Sequence, residues 1–101
     1  MKNHDYYIYI LTNKYKNVLY IGVTNDLKRR LSENVNGINP RFTSKYNCKF
    51  LVYYEQFNDI TLAIIREKEL KSWRREKKDK LINSFNPEWE FFNDRFLPSN
   101  P

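Results

Sequence analysis

Glu67 is the residue that packing alone explains least. On a helical wheel its side chain falls inside an apolar stripe, whose other members are Ile60, Ala63, Ile64 and Leu70. An ionised carboxylate on a buried face is costly unless a cation or several hydrogen bonds compensate it. Glu67 could therefore pair with an Arg or Lys, reach solvent on a rotated helix, or bind a divalent metal ion. The residue alone favours the first two arrangements and leaves the third open.

Arg30 is a second charged residue at the border of an apolar stripe. That stripe is formed by Leu27, Leu31 and Val35, which recur every four residues. A guanidinium at its margin can pair with a carboxylate or bind a phosphate through two parallel hydrogen bonds. Equally, its aliphatic stem could cover the edge of the core while the charged end stays in water. Both interpretations are open from the sequence.

Two tyrosines and a glycine accompany these charges. Tyr9 and Tyr20 lie eleven residues apart on two β-rich segments joined by a polar turn. We expect them to be close partners across a hairpin, although tyrosines on strands commonly serve packing alone. Gly22 indicates either a β-bulge or a place where a ligand must approach the backbone closely.

The elements that position these residues are three strands and three helical segments. Runs of β-branched and aromatic residues predict strands, and capping side chains ahead of apolar repeats predict helix starts. The predicted strands are 6–11, 18–23 and 49–57; the predicted helices are 26–35 and 60–73, followed by a basic segment, 74–85, that forms a short helix or extends the second one. The order ββαβαα predicts an α+β fold, with a three-stranded antiparallel sheet flanked by helices.

We expect a single domain over residues 1–101, because a chain of this length can bury one modest core and not two. The core covers about 6–89, and an aromatic tail follows at 90–101. The C-terminal segment is predicted to lay Trp89, Phe91 and Phe92 on the core.

The basic composition of the chain indicates the class of its binding partner. The net charge of +6 and the pI of about 9.5 favour a polyanion such as nucleic acid, although charge alone does not require one. The longest apolar run, residues 6–11, is too short to cross a membrane, and the N-terminus lacks the apolar stretch of a signal peptide. We expect a cytoplasmic monomer with no membrane partner and no small-molecule cofactor.

The single cysteine and the single histidine give no disulfide and no metal site of a usual kind. Cys48 is the single cysteine, so no intrachain disulfide can form and a reducing compartment is expected. Cys48 and His4 cannot complete a zinc site of the usual kind. They could form a catalytic pair, but we expect Cys48 to pack as a small buried apolar residue.

Taken together, these residues resemble the GIY-YIG nuclease family over about Tyr6 to Trp89. The first half of the family's motif corresponds to Tyr7-Ile8-Tyr9, with Tyr in place of the first Gly, and the second half, Tyr20-Ile21-Gly22, is intact. Arg30 stands ten residues after the Tyr of the second half, where the family has its arginine. Glu67 matches the family's glutamate on a later helix. The segments "EKELKSW" and "NPEW" resemble a small, stand-alone bacterial branch.

Two positions depart from the family pattern. Many relatives carry His or Tyr four residues after the arginine, whereas this chain has Asn34, which cannot act as a general base. Homing and repair members also carry an Asn beyond the glutamate. Asn83 and Asn86 are both possible matches to that residue.

The resemblance implies hydrolysis of a DNA phosphodiester with one divalent metal, Mg²⁺ or Mn²⁺, held by Glu67. Arg30 would neutralise charge on the transition state, and Tyr9, Tyr20 or both would orient the attacking water. The loss of the usual His puts more of that work on Tyr9.

DNA contacts are expected through the backbone, with low sequence specificity or a preference for a DNA structure. The candidate contacts are Gly22, Lys28, Arg41, Lys45, Arg74, Arg75, Lys77 and Lys78. The basic run at 74–78 could equally be a solvated helix face. The main alternative function is a non-catalytic nucleic-acid-binding module with the same fold, which Asn34 favours. A basic protein-interaction domain would leave Glu67 and the Tyr, Gly and Arg spacings unexplained.

Overall fold

The computed structural model describes residues 5–36 and 46–97. Its sheet contains β1 (Tyr6–Thr12), β2 (Leu19–Thr24) and β3 (Phe50–Phe57), arranged in the order β2-β1-β3 with both pairs antiparallel. The central strand β1 is apolar at nearly every position because both of its faces are covered. Ile8 and Ile10 are buried on one face, and Tyr9 and Leu11 on the other.

Four helices of the described residues flank this sheet: α1 (Leu27–Val35), α2 (Ile60–Ser72), α3 (Arg75–Phe85) and the single turn α4 (Asn93–Phe96). Aspartates cap the first two. The Asp26 carboxylate accepts from the Arg29 backbone N–H at 3.0 Å, and the Asp59 carboxylate accepts from that of Thr61 at 2.8 Å.

The helices form one layer on each side of the sheet. Ala63 and Leu70 of α2 and Ile82 of α3 pack with Ile8 and Ile10. On the opposite face Leu27 and Leu31 of α1 pack with Tyr9, Leu11 and the buried Phe92. Trp89 and Phe91 pack against the first cluster, so the predicted role of the three C-terminal aromatics is confirmed.

The predicted α+β class and the order ββαβαα are confirmed, and the boundaries of the predicted elements lie within one residue. The basic segment is a separate helix, because Trp73 adopts an extended conformation after α2 (ψ 151°). No pattern in the sequence indicated α4, which is one turn long.

The predicted burial of α2 is wrong in part. Ala63 and Leu70 are fully buried, but Ile60 and Ile64 are 41% and 37% exposed. The line of contact with the sheet runs through Ala63 and Leu70, which are seven residues apart. At about 100° per residue, Ile60 and Ile64 point roughly 70° and 110° away from that line. Glu67 lies roughly 50° from it, at the border of the buried face rather than its centre.

Candidate active site at the edge of β2

Gly22 leaves room for the ring of Tyr9. The two residues are direct partners in the β1–β2 ladder, and a Cβ atom on Gly22 would lie 2.6 Å from Cζ of Tyr9. The ring therefore crosses β2 at the position where any other residue would have its side chain. The ladder is continuous through Gly22, so the predicted bulge is wrong. Contact of this glycine with DNA stays a prediction.

Tyr20 lies diagonally across from Tyr9. Its direct partner is Leu11, so the two tyrosines are close diagonal neighbours across the hairpin, as expected. Their ring centroids are 6.3 Å apart on the same face of the sheet. Side chains alternate between the two faces of a strand, so residues two apart share a face. The partner of Tyr20, Leu11, is two residues from Tyr9, and both tyrosines therefore lie on the same face.

Replacing Gly22 with Ala is expected to lower the melting temperature by roughly 4–20 °C, since overpacking a filled site costs about 1–3 kcal/mol. Tyr9 is 1% exposed, so its ring cannot move aside freely. The same substitution should cost as much beside Tyr9→Phe, which keeps the ring, and much less beside Tyr9→Leu. Thermal unfolding of the wild type, the three single variants and the two double variants measures this coupling. An equal cost in the Leu background would contradict the proposed contact.

Arg30 reaches the same place from α1. The positive charge of its guanidinium acts to lower the pKa of Tyr9, and the Arg30 side chain is 28% exposed. The Nε atom lies 3.3 Å from Oε1 of Glu33 and makes no hydrogen bond with any residue that the structure describes. Arg30 is thus held at the margin of the apolar stripe, partly open to solvent, with donor capacity left for an anion.

The surroundings of Tyr9 disfavour ionisation of its phenol. Burial raises its pKa to about 12, and the neighbouring Tyr20 and the charge of Glu67 act in the same direction, while Arg30 opposes them. At neutral pH the hydroxyl therefore stays protonated. A buried phenol of this kind is suited to holding Arg30 in place, and poorly suited to removing a proton from water.

The raised pKa of Tyr9 predicts a loss of stability in alkaline solution. The unfolded tyrosine ionises near pH 10, while the folded one keeps its proton up to about pH 12. The unfolded state is therefore favoured progressively between these values, by on the order of 2–3 kcal/mol. Tyr9→Phe should lose less stability than the wild type between pH 9 and pH 11, as followed by urea unfolding. Parallel curves for the two proteins would contradict the assignment.

Glu67 approaches from the opposite face of the sheet. Its side chain is 15% exposed, and its Oε2 atom lies 2.9 Å from Nζ of Lys71. Because its charge raises the pKa of Tyr9, the carboxylate is electrostatically coupled to the tyrosine across β2. Tyr9, Tyr20, Arg30 and Glu67 thus come together at one edge of the sheet, two helices supplying the charges from its two sides.

A shallow groove runs along this edge. Tyr20 lines it together with Lys71 and Lys78, beside the backbone of β2. Lys71 was not singled out from the sequence. Its spacing of four residues from Glu67, on the same helix, was the available signal.

The carboxylate oxygens of Glu67 suit a hard divalent cation whose remaining ligands would be substrate and water. Within residues 5–36 and 46–97, no cluster of three or more His, Cys, Asp or Glu could form an all-protein metal cage. Mg²⁺ often binds through one or two carboxylates plus substrate phosphates and keeps several waters. Glu67 fits that mode, with Lys71 neutralising the carboxylate until a cation replaces it.

The expected DNA contacts divide into four groups. Lys78 lines the groove, whereas Lys28 and Arg74 are exposed elsewhere. Arg75 is engaged structurally: its guanidinium donates to Asp79 and to the backbone carbonyls of Lys16 and Asn17. Lys77 packs over the ring of Trp73, 4.2 Å from its centroid. Arg41 and Lys45 lie outside the described residues.

Three asparagines near the candidate site have structural partners. Asn34 is 4% exposed, and its amide donates to the backbone carbonyl of Arg30 at 2.8 Å. Asn86 is buried and donates to the carbonyls of Val52 and Glu90, while Asn83 accepts from Trp89. Neither Asn83 nor Asn86 lines the groove.

Cys48 is fully buried, as predicted, and burial raises the pKa of its thiol to about 11. A buried thiol that stays protonated at neutral pH is a poor nucleophile. His4, its hypothetical partner, lies outside the described residues.

Comparison with known proteins adds independent observations. Residues 5–81 match the family described as the GIY-YIG catalytic domain. The chain is 34% identical over 90 residues to a UPF0213 protein of Bacillus pumilus, which covers 89% of this chain and 91% of the relative. It is 37% identical over 79 residues to a UPF0213 protein of Haloquadratum walsbyi, covering 78% and 88% of the two chains.

The fold has a solved counterpart. The solution NMR structure of a UPF0213 protein from Bacillus halodurans superposes with a TM-score of 0.56 and 28% identity, covering 95% of this chain and 99% of that one. No helix in the described parts of the chain is long and apolar enough to cross a membrane.

Proposed function

The chain belongs to the GIY-YIG catalytic domain family, and from this premise we propose that it is an endonuclease that hydrolyses DNA phosphodiester bonds with the help of a divalent metal ion. The observation that carries the proposal is the convergence of Tyr9, Tyr20, Arg30 and Glu67 at one edge of the sheet. These side chains come from four different elements, so no single packing requirement explains why they meet.

Each side chain has a role that suits its surroundings. Arg30 binds the scissile phosphate and stabilises the negative charge that develops on it. Tyr20, which lines the open groove, orients the attacking water. Tyr9 is a positioning residue, because its buried phenol is electrostatically coupled to Arg30.

Glu67 is the residue that would hold the cation, Mg²⁺ or Mn²⁺. When bound, the ion supplies charge neutralisation at the phosphate and stabilises the leaving oxygen. Lys71 pairs with this carboxylate and lines the groove together with Lys78, so with a cation held by Glu67 both ammonium groups would be available to contact neighbouring phosphates.

Lys78 is expected to contribute to DNA affinity more than its neighbours on α3. Lys78→Gln should lower the slope of log Kd against log salt by about 0.9 on duplex DNA, the value for one lost phosphate contact. Lys80→Gln is the matched control, because Lys80 lines a different hollow with Arg74 and Lys77. Titrations in EDTA over a range of salt concentrations measure both slopes. An unchanged slope for Lys78→Gln would show that this lysine does not contact a DNA phosphate.

A second function, a non-catalytic nucleic-acid-binding module, has two observations in its favour. Asn34 stands where relatives carry His or Tyr, and Lys71 already satisfies the charge of Glu67 without a metal. We favour the nuclease, because a binding module gives no reason for Arg30 and Glu67, on two different helices, both to act on Tyr9. We further propose that residues 1–101 form one domain and that the chain acts as a cytoplasmic monomer.

A cleavage assay on several DNA structures tests the proposed function. The purified chain is incubated with linear, nicked, flapped and single-stranded DNA in Mg²⁺, Mn²⁺ or EDTA. We expect internal cleavage of at least one substrate in the metals and none in EDTA. Binding without cleavage of any of the four substrates in either metal would favour the binding module.

A further inference from the structure

A second cleft lies at the end of the sheet where β1 ends and β3 begins. Its volume is about 260 Å³, and its walls include Lys14 and Tyr15 from the β1–β2 turn and Lys49 and Phe50 from the start of β3. None of the candidate catalytic residues lines it. Among the residues that the structure describes, its lining includes two lysines and three aromatic rings, and no carboxylate.

The turn that carries Tyr15 is held in place by several hydrogen bonds. The side chain of Asn13 donates to that of Asn17 at 2.7 Å and accepts from the Asn17 backbone N–H at 3.1 Å. Arg75 of α3 donates to the backbone carbonyls of Lys16 and Asn17 at 3.0 and 3.1 Å. Little conformational freedom of this backbone is then lost when a ligand binds.

Tyr15 itself has no place in the core. It is 71% exposed, and the ammonium group of Lys14 lies 5.1 Å from the centroid of its ring. A large exposed ring on a fixed turn, with a cation beside it, offers a flat stacking surface and a phosphate contact within one side-chain length. These are the two groups with which proteins bind an unpaired nucleotide, whose base stacks and whose phosphate is neutralised.

We propose that this cleft binds one unpaired nucleotide, with its base stacked on Tyr15 and its phosphate contacted by Lys14 and Lys49. The inference rests on the proposed function in one respect, namely that the partner is a nucleic acid. The cleft lies beyond the end of β1, at least three residues along that strand from Tyr9, which is about 10 Å at about 3.3 Å per residue. The nucleotide it holds is therefore separated from the scissile bond along the bound strand, and that strand is unpaired at the cleft.

The test compares two probes that carry the same phosphates: a ten-nucleotide oligothymidine and a fully abasic strand of equal length. Fluorescence anisotropy in EDTA measures both affinities without cleavage. We expect the wild type to bind the oligothymidine more tightly, and Tyr15→Leu to reduce that ratio about tenfold, within the range for loss of one stacked base. Tyr15→Phe, which keeps the ring, should preserve the ratio.

The lysines are tested by a double variant. Lys14→Gln with Lys49→Gln should weaken both probes equally and lower the salt slope by about 1.4, the value for two contacts to a single strand. Lys68→Gln, at an exposed position on α2, is the control and should leave both affinities nearly unchanged. An unaltered probe ratio in Tyr15→Leu, with binding intact, overturns the inference alone. Failure of the wild type to bind either probe also overturns the inference, and the cleavage assay on the four DNA structures decides the proposed function separately.

Discussion

Glu67→Gln is expected to lower the cleavage rate by at least about 10³-fold while the protein stays folded and still binds DNA. Glutamine keeps the size and hydrogen-bonding capacity of the side chain but removes the charge that would hold the cation. A thousandfold loss corresponds to about 4 kcal/mol, which is reasonable for the single carboxylate at a metal. DNA affinity should rise slightly, because a negative charge beside the phosphates is removed.

Stability should change little in this variant. Lys71 is 52% exposed, so losing Glu67 leaves its ammonium group in water rather than buried. A helical pair at this spacing contributes only about 0.3–0.5 kcal/mol. Neither the nuclease nor the binding module therefore predicts that Glu67→Gln is strongly destabilised. The cleavage rate is the quantity that distinguishes the two functions.

Glu69→Gln is the matched control for Glu67→Gln. Glu69 lies on the same helix and also pairs with a basic residue, Arg66, at 2.7 Å, but its side chain is 50% exposed. Unlike Glu67, it is not among the charges that shift the pKa of Tyr9. Glu69→Gln should cleave at the wild-type rate. If Glu67→Gln also cleaves at that rate, the carboxylate of Glu67 has no role in the mechanism.

Arg30→Ala is expected to reduce cleavage by about 10²–10³-fold, the usual effect of removing one preorganised donor from a developing negative charge. Arg30→Lys keeps the charge but loses the planar fork, so it should recover only part of the rate. Because Tyr9 holds the guanidinium, Tyr9→Phe should also reduce the rate, and Tyr9→Phe should have little further effect on Arg30→Ala.

Arg29→Ala is the control for this substitution. Arg29 neighbours Arg30 on α1 and is 55% exposed, with a carboxylate of the same partner, Glu33, at 3.9 Å. Single-turnover rates under saturating DNA separate the chemical step from binding. An equal loss of rate in Arg29→Ala and Arg30→Ala would indicate a general effect of positive charge rather than a specific contact.

Much of the fold was predictable because its local signals agree. β1 is apolar at nearly every position, and Asp26 and Asp59 stand where helices begin. The burial of α2 was harder to predict, since apolar periodicity does not say which part of a wide stripe meets the sheet. Ile60 and Ile64 extend the stripe in sequence, but the contact line passes through Ala63 and Leu70.

The candidate site was predictable in its members and not in its geometry. Residue spacing alone could not reveal that Tyr9 lies over Gly22, because this depends on the register of the hairpin and on a side chain crossing the neighbouring strand. Nor could it reveal that Glu67 and Arg30 come from opposite faces of the sheet. Burial then changes the role that Tyr9 can have, since its pKa rises with loss of solvent.

The most direct test of the central claim is metal reactivation of a single preparation. Wild-type protein, Glu67→Gln and Glu69→Gln are purified side by side, treated with EDTA, and assayed on single-stranded and flapped DNA before and after excess Mg²⁺ is added. We predict that added Mg²⁺ restores internal cleavage in the wild type and in Glu69→Gln, and restores none in Glu67→Gln. Equal reactivation of all three proteins, or no cleavage by the wild type in Mg²⁺ or Mn²⁺, would contradict the account.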